Sequence, residues 1–203
     1  LTVGFDRYIS NGEGHDFAVF ENGFLLGGDP FLFAELAYVE VSSNGADFAR
    51  FASIATNTEA DLDTRFGRSF SSLDTTNVYN LAGKHSGGFG TPFDLSELVS
   101  DPKVASGLVD LQKIEFVRLV DIPGNGAFVD SLGNPIYDAW LTTGSGGFDF
   151  RLAEGLSVGA INVAPVPEPS GLAIFALGSI GLLIFQTQRR GSRICTDAPS
   201  RGR

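Results

Sequence analysis

The stretch ELAYVEVSSNGADFARF, from Glu35 to Phe51, limits the fold more than any other part of this chain. Ala37, Val39 and Val41 point one way and Leu36, Tyr38 and Glu40 the other, a period of two that belongs to a β-strand. Asn44-Gly45 then predicts a hairpin or tight β-connection, because both residues tolerate the left-handed backbone that such turns need. DFAVFEN, from Asp16, repeats the pattern with Phe17 and Val19 opposite Ala18 and Phe20, which predicts a strand buried on both sides, and breaks at Asn22-Gly23. In KIEFVRLVDI the same period places Ile114, Phe116 and Val120 on one face, and GGFDFRLAEGLSVGAINV supplies one or two closing strands.

Helical signals are few. Asp94, with Glu97 three residues later, predicts a capped short helix, and Asp101-Pro102 starts a second turn that Gly107 ends. The polar segment 57–90 reads as long loops with one or two edge strands, anchored by Phe66, Phe70 and Tyr79. The expected fold class is therefore all-β, a β-sandwich or jelly roll with one or two short helices, plus a C-terminal transmembrane helix. The only cysteine, Cys195, lies beyond the apolar run near the C-terminus, so the body holds no disulfide and no thiolate metal site. A net charge of −10, with a basic C-terminal region, makes the body strongly acidic and argues against nucleic acid or anionic lipid as partners. The chain contains no Met and opens inside a strand-like pattern, LTVGFD, so its natural start is expected to lie further upstream.

The tail has three parts in a fixed order. Pro165, Pro167 and Pro169 hold Val166 to Pro169 extended and present Glu168. Gly171 to Phe185 is uncharged and apolar, roughly 22 Å as a helix at 1.5 Å per residue, and Ser170 and Gln186 to Gln188 bring it to a marginal membrane span. Arg189, Arg190 and Arg193 follow and would stay on the cytoplasmic side. Extended motif, apolar run and arginine cluster together resemble the PEP-CTERM sorting signal of Gram-negative bacteria, which the membrane peptidase exosortase reads. The resemblance implies an inner-membrane-anchored precursor, cleavage near Val166, Pro167, Glu168 and Pro169, and transfer to the cell envelope or an exopolysaccharide matrix. SRICTDAPSRGR continues past the basic cluster, where such signals usually stop. The expected organisation is a β-sandwich body over 1–163, a Pro-rich linker over 164–170, a transmembrane helix over 171–188 and a basic tail over 189–203.

The blocks DFAVFENGF, ELAYVEVSSNGADFARF, YNLAGKHSGGFGTPFDLSEL, GLVDLQKIEFVRLVDIPGNG, GNPIYDAW and GSGGFDF resemble exported bacterial cell-surface proteins. VEVSSNGADF with the later FVRL is similar to the core strands of discoidin-like, galactose-binding-like jelly rolls, which implies a carbohydrate-binding body.

Residues that carry chemistry are scattered. His15 and His85 are the only histidines, too few for a His-rich zinc site. A hydrolase would need His85 beside Ser86 to be oriented by Asp121 or Asp138, whereas a loop histidine packing a turn is the simpler reading. Oxygen donors gather in Asp121, Asn125, Asp130, Asn134, Asp138 and Asp149, as turn formers or as ligands for Ca²⁺. The candidate calcium set is Glu21, Asn22, Asp121, Asp138 and Asp149, with Asp6 approached if the first and last strands meet. Tyr137 and Trp140 are the candidate sugar-stacking aromatics, with Tyr79 a third, and Trp140 serves equally well as a core plug. The expectation is a non-enzymatic, exported surface or matrix protein that binds carbohydrate. A purely structural matrix protein is the near rival, and a glycan hydrolase, with two carboxylates about 5 to 10 Å apart across a cleft, the distant one.

Overall fold

The computed structural model describes residues 1–85, 88–140, 147–149 and 158–164. The chain divides into two compact units, Leu1–Pro165 and Val166–Arg203. All of the second unit apart from its sequence lies outside the described residues, and with it the expected transmembrane helix. Among the described residues no helix is long and apolar enough to cross a membrane.

The body is all-β. In chain order its strands are β1 (Thr2–Ile9), β2 (Phe17–Val19), β3 (Phe24–Leu25), β4 (Phe31–Phe33), β5 (Ala37–Ser42), β6 (Ala49–Arg50), β7 (Ile54–Ala55) and β8 (Leu73–Asp74). There follow β9 (Val78–Tyr79), β10 (Leu81–Ala82), β11 (Thr91–Phe93), β12 (Ile114–Asp121), β13 (Asn125–Val129), β14 (Pro135–Tyr137) and β15 (Val158–Ala160). The central sheet runs β1-β12-β5-β10, with β6 also paired to β5. Smaller sheets are β11-β2-β15, β3-β4-β8, β13-β14 and β7-β9, and every pairing is antiparallel.

All six residues of β5 are buried, whereas β2, expected to be buried on both sides, buries Phe17 and Val19 and leaves Ala18 and Phe20 partly exposed. The two faces of β5 feed different cores. Ala37, Val39 and Val41 join Val117 and Leu119 of β12 against Phe17, Val19, Phe93 and Val158 of the β11-β2-β15 sheet. Phe17 stacks on Phe93 at 5.3 Å between ring centroids, and Phe51 closes the cluster at 5.0 Å from Phe93. On the other face Leu36 and Tyr38 pack with Leu32, Leu73, Val78, Leu81, Ile122 and Ile136 from the small sheets and their connections. Each such fully buried side chain contributes about 1.5–3 kcal/mol, so the cores on the two faces hold the layers together. Glu40, nominally on the second face, is instead clamped between Arg50 (2.7 Å) and Arg118 (2.5 Å) from the neighbouring strands.

Three local expectations need correction. Ile114 shares its core with Val117 and Leu119, not with Phe116 and Val120, because pairing to β1 slips between Gly4 and Ile9 and the alternation of β12 changes phase there. Val120 packs on the opposite core. Asn44-Gly45 sits inside a loop between the Val41–Ala49 pair, where the Asn44 side chain accepts the N–H groups of Ala46 and Asp47, so the hairpin is wider than a two-residue turn. Phe66, Phe70 and Tyr79 are about half exposed, and the aliphatic Leu62, Leu73, Val78 and Leu81 anchor their segment. The helical signals act as expected at the caps, but Glu97 accepts from Tyr79 and Asn80 instead of returning to Asp94. Asp94 caps a 3-10 turn at Leu95–Leu98, and Asp101 caps the helix α1 (Pro102–Ala105).

Candidate functional site

Five carboxylates converge electrostatically near one end of the β5–β12 pair. Glu35 precedes β5, Asp121 ends β12, Asp138 follows β14, Glu21 follows β2, and Asp149 stands in the segment 147–149. Glu35, Asp121 and Asp138 line a cavity of about 360 Å³ together with Asn125, Trp140 and Gly147. Backbone amides hold these groups in place. Glu35 Oε1 accepts Gly147 N–H at 3.0 Å, Asp121 Oδ1 accepts Phe148 N–H at 2.8 Å, and Asp138 Oδ2 accepts Leu36 N–H at 3.0 Å. Glu21 Oε2 accepts Gly23 N–H at 2.6 Å, and Asn22 Nδ2 donates to Asp149 Oδ2 at 3.5 Å.

Crowding and burial shift these acids upward. Burial, then the charges of Glu35 and Asp149, push Glu21 up to about 8 against the opposing Gly23 and Asn22 amides. Burial, then Asp149 and Asp121, push Glu35 up to about 7, and burial, then Glu35 and Asp121, push Asp138 up to about 8. Near neutral pH, then, the cluster holds protons that ordinary carboxylates would have released. Among the described residues no three His, Cys, Asp or Glu side chains stand close enough together to hold a metal ion.

All five residues of the candidate calcium set thus belong to one neighbourhood, and Glu35, which links them, was missed by sequence reasoning. Its signal was a glutamate set between Ala34 and Leu36 in an otherwise apolar run. The first and last described segments do meet, through Ile9 and Val163, but Asp6 remains exposed on β1 and takes no part in the cluster. Asp130 and Asn134 are turn formers. Asp130 accepts N–H groups from Ala55, Leu132 and Asn134, and these bonds outweigh its burial and hold its carboxyl low.

Tyr137 and Trp140 come together in a second cavity, of about 580 Å³, with Thr58, Glu59, Thr64 and Arg68. Trp140 packs against the second core, as the core-plug reading expects, and also lines this cavity and the acidic one. Its indole N–H is out of solvent and meets no acceptor among the described residues. Tyr79 is elsewhere, half exposed, and its hydroxyl donates to Glu97 at 2.8 Å. His85 lines a third cavity with Lys84, apart from the one lined by Asp121 and Asp138, and Ser86 lies outside the described residues. No hydrolase triad is assembled among the described residues.

Val166, Pro167, Glu168, Pro169, Arg189, Arg190 and Arg193 also lie outside the described residues. Residues 165–190, a range that includes all of these except Arg193, match the PEP-CTERM protein-sorting motif. No curated protein and no solved structure matches the chain.

Proposed function

Starting from a chain that carries a PEP-CTERM motif, and is therefore an exported, envelope-directed substrate of exosortase, we propose that it is a surface or exopolysaccharide-matrix protein whose freed body binds carbohydrate without catalysis. The observation that carries the reading is the position of the motif. It begins at residue 165, where the compact unit Leu1–Pro165 ends, so a cut near Val166 to Pro169 leaves the body whole. The route runs through a precursor held in the inner membrane by 171–188, with Arg189, Arg190 and Arg193 on the cytoplasmic side. The sugar-binding part rests on the Tyr137–Trp140 cavity, where two aromatic rings, an arginine and two threonines offer stacking surface and directional hydrogen bonds. The resemblance to discoidin-like jelly rolls points the same way.

Calcium is the second reading. Its support is the mutual repulsion among Glu21, Glu35, Asp121, Asp138 and Asp149, which a divalent cation would relieve by replacing protons. Since no three of them stand close enough together to hold a metal ion, binding would require side-chain rotation and be correspondingly weak.

Two measurements test the main reading. Replacing Pro167, Glu168 and Pro169 by Ala should leave an uncut, membrane-held precursor, and wild-type mass and fractionation would defeat the sorting route. Retention of the full-length chain on exopolysaccharide should fall about tenfold in Trp140→Ala. Equal retention points to the purely structural matrix protein, and cleavage of the polysaccharide that disappears in Glu35→Gln to the hydrolase.

A further inference from the structure

A third cavity, of about 540 Å³, is lined by Asp29, Thr75, Thr76, Lys84, His85 and Phe89, among others. Its volume lies within the roughly 300–1,000 Å³ of ordinary ligand sites. Lys84 and His85 are both partly buried there. The other partly buried Lys or Arg among the described residues, Arg118, is paired with Glu40, and the exposed Lys103 donates its Nζ to the Phe48 carbonyl at 2.7 Å. The more exposed Arg50, Arg65, Arg68 and Lys113 have carboxylates within 4 Å as well. Lys84 has neither ion pair nor hydrogen bond among the described residues, although the chain carries 24 acidic side chains and Asp29 lines the same cavity. Burying a cation without a partner costs folding energy, and sites that spend stability in this way commonly serve a ligand.

We propose that this cavity binds the carboxylate of an acidic sugar unit, with Lys84 and His85 holding the anionic group and Phe89 lying against the ring. Thr75 and Thr76 line the wall where ring hydroxyls would face, and Phe89 is 74% exposed, an aromatic face open to stacking. Burial lowers the proton affinity of Lys84, and burial together with the Lys84 charge does the same at His85, so an arriving carboxylate would stabilise the Lys84 cation and favour protonation of His85. The acidity of the whole body does not forbid this. Exposed charges are screened beyond about 8 Å at physiological salt, so inside the cavity the nearest cation dominates. The site is separate from Tyr137 and Trp140 and does not rest on them.

The test is calorimetric titration of the full chain in detergent with trigalacturonate, neutral galactotriose and sodium sulfate. Trigalacturonate should bind, at least tenfold more weakly to Lys84→Gln and several-fold more tightly to Asp29→Asn, whose variant removes the competing carboxylate. Any binding of galactotriose should be indifferent to Lys84. Lys84→Gln should melt no lower than the parent, since it loses an unpaired charge. Equal trigalacturonate affinity in parent and Lys84→Gln, no binding at all, or a lower melting temperature in Lys84→Gln would each overturn the proposal. Lys84-dependent binding of sulfate without trigalacturonate would overturn the sugar assignment.

Discussion

The backbone N–H of Ala164 donates to the carbonyl of Tyr8 at 3.0 Å, tying the last described residue before the sorting motif to the first strand. Just upstream, Ile161 and Asn162 donate to the Asp16 carbonyl, Asn162 Nδ2 donates to Asp16 Oδ1 at 2.8 Å, and β15 pairs with β2. A chain ending at Ala164 should therefore melt like one cut within the motif. One ending at Ser157 loses β15, the Asn162 clamp and buried Val158, and should be less stable by about 4 kcal/mol or more. Denaturant titration of both decides it, and equal midpoints would mean that the closing segment is dispensable.

The acidic cluster sets a pH dependence. Glu21, Glu35 and Asp138 have folded values of about 8, 7 and 8, all above their unfolded values, so between about pH 4 and 8 the native state binds more protons than the unfolded chain. Their stabilising contribution is complete below the unfolded values and is lost as pH rises through 7 and 8. The melting temperature should fall from pH 6 to pH 8.5, by roughly 2–4 °C for each kcal/mol lost. Glu35→Gln and Glu21→Gln should each flatten the slope. A melting temperature that rises over this range contradicts the assignment.

Gly124 is held at φ +64°, and a Cβ built there would stand 1.6 Å from Asp138 Oδ1. Asp138 cannot easily retreat, being 2% exposed and bonded to Leu36 N–H. Gly124→Ala should cost about 3 kcal/mol or more. Adding Asp138→Gly should recover part of that loss, a coupling that a double-mutant cycle measures.

Calcium should raise the melting temperature more at pH 8 than at pH 6, because at the higher pH fewer protons compete for the carboxylates. A hundredfold excess over Kd would contribute about 2.7 kcal/mol. Magnesium should do less, and Asp149→Ala or Asp138→Ala should shrink the gain. Superimposed curves with calcium and chelator would leave these aspartates as turn formers and loop staples.

The period of two in residues 36–41 was enough to predict a strand and which of its residues share a face, because side-chain direction follows from backbone geometry alone. The caps at Asp94 and Asp101 were legible for the same reason, since each bonds an amide two residues away. The sorting motif was legible because extended backbone, apolar run and arginines are read in linear order. What the chain could not show locally was decided by packing. The slip in the β1–β12 pairing moved Ile114 relative to Val120, and a register between distant strands leaves no mark on either one. Glu35 became the hub of the acidic cluster only when Gly147 and Asp121, more than eighty residues away, were folded against it. Lys84 and His85 gained meaning the same way, because a charge is unusual only in relation to the partners that tertiary structure supplies or withholds.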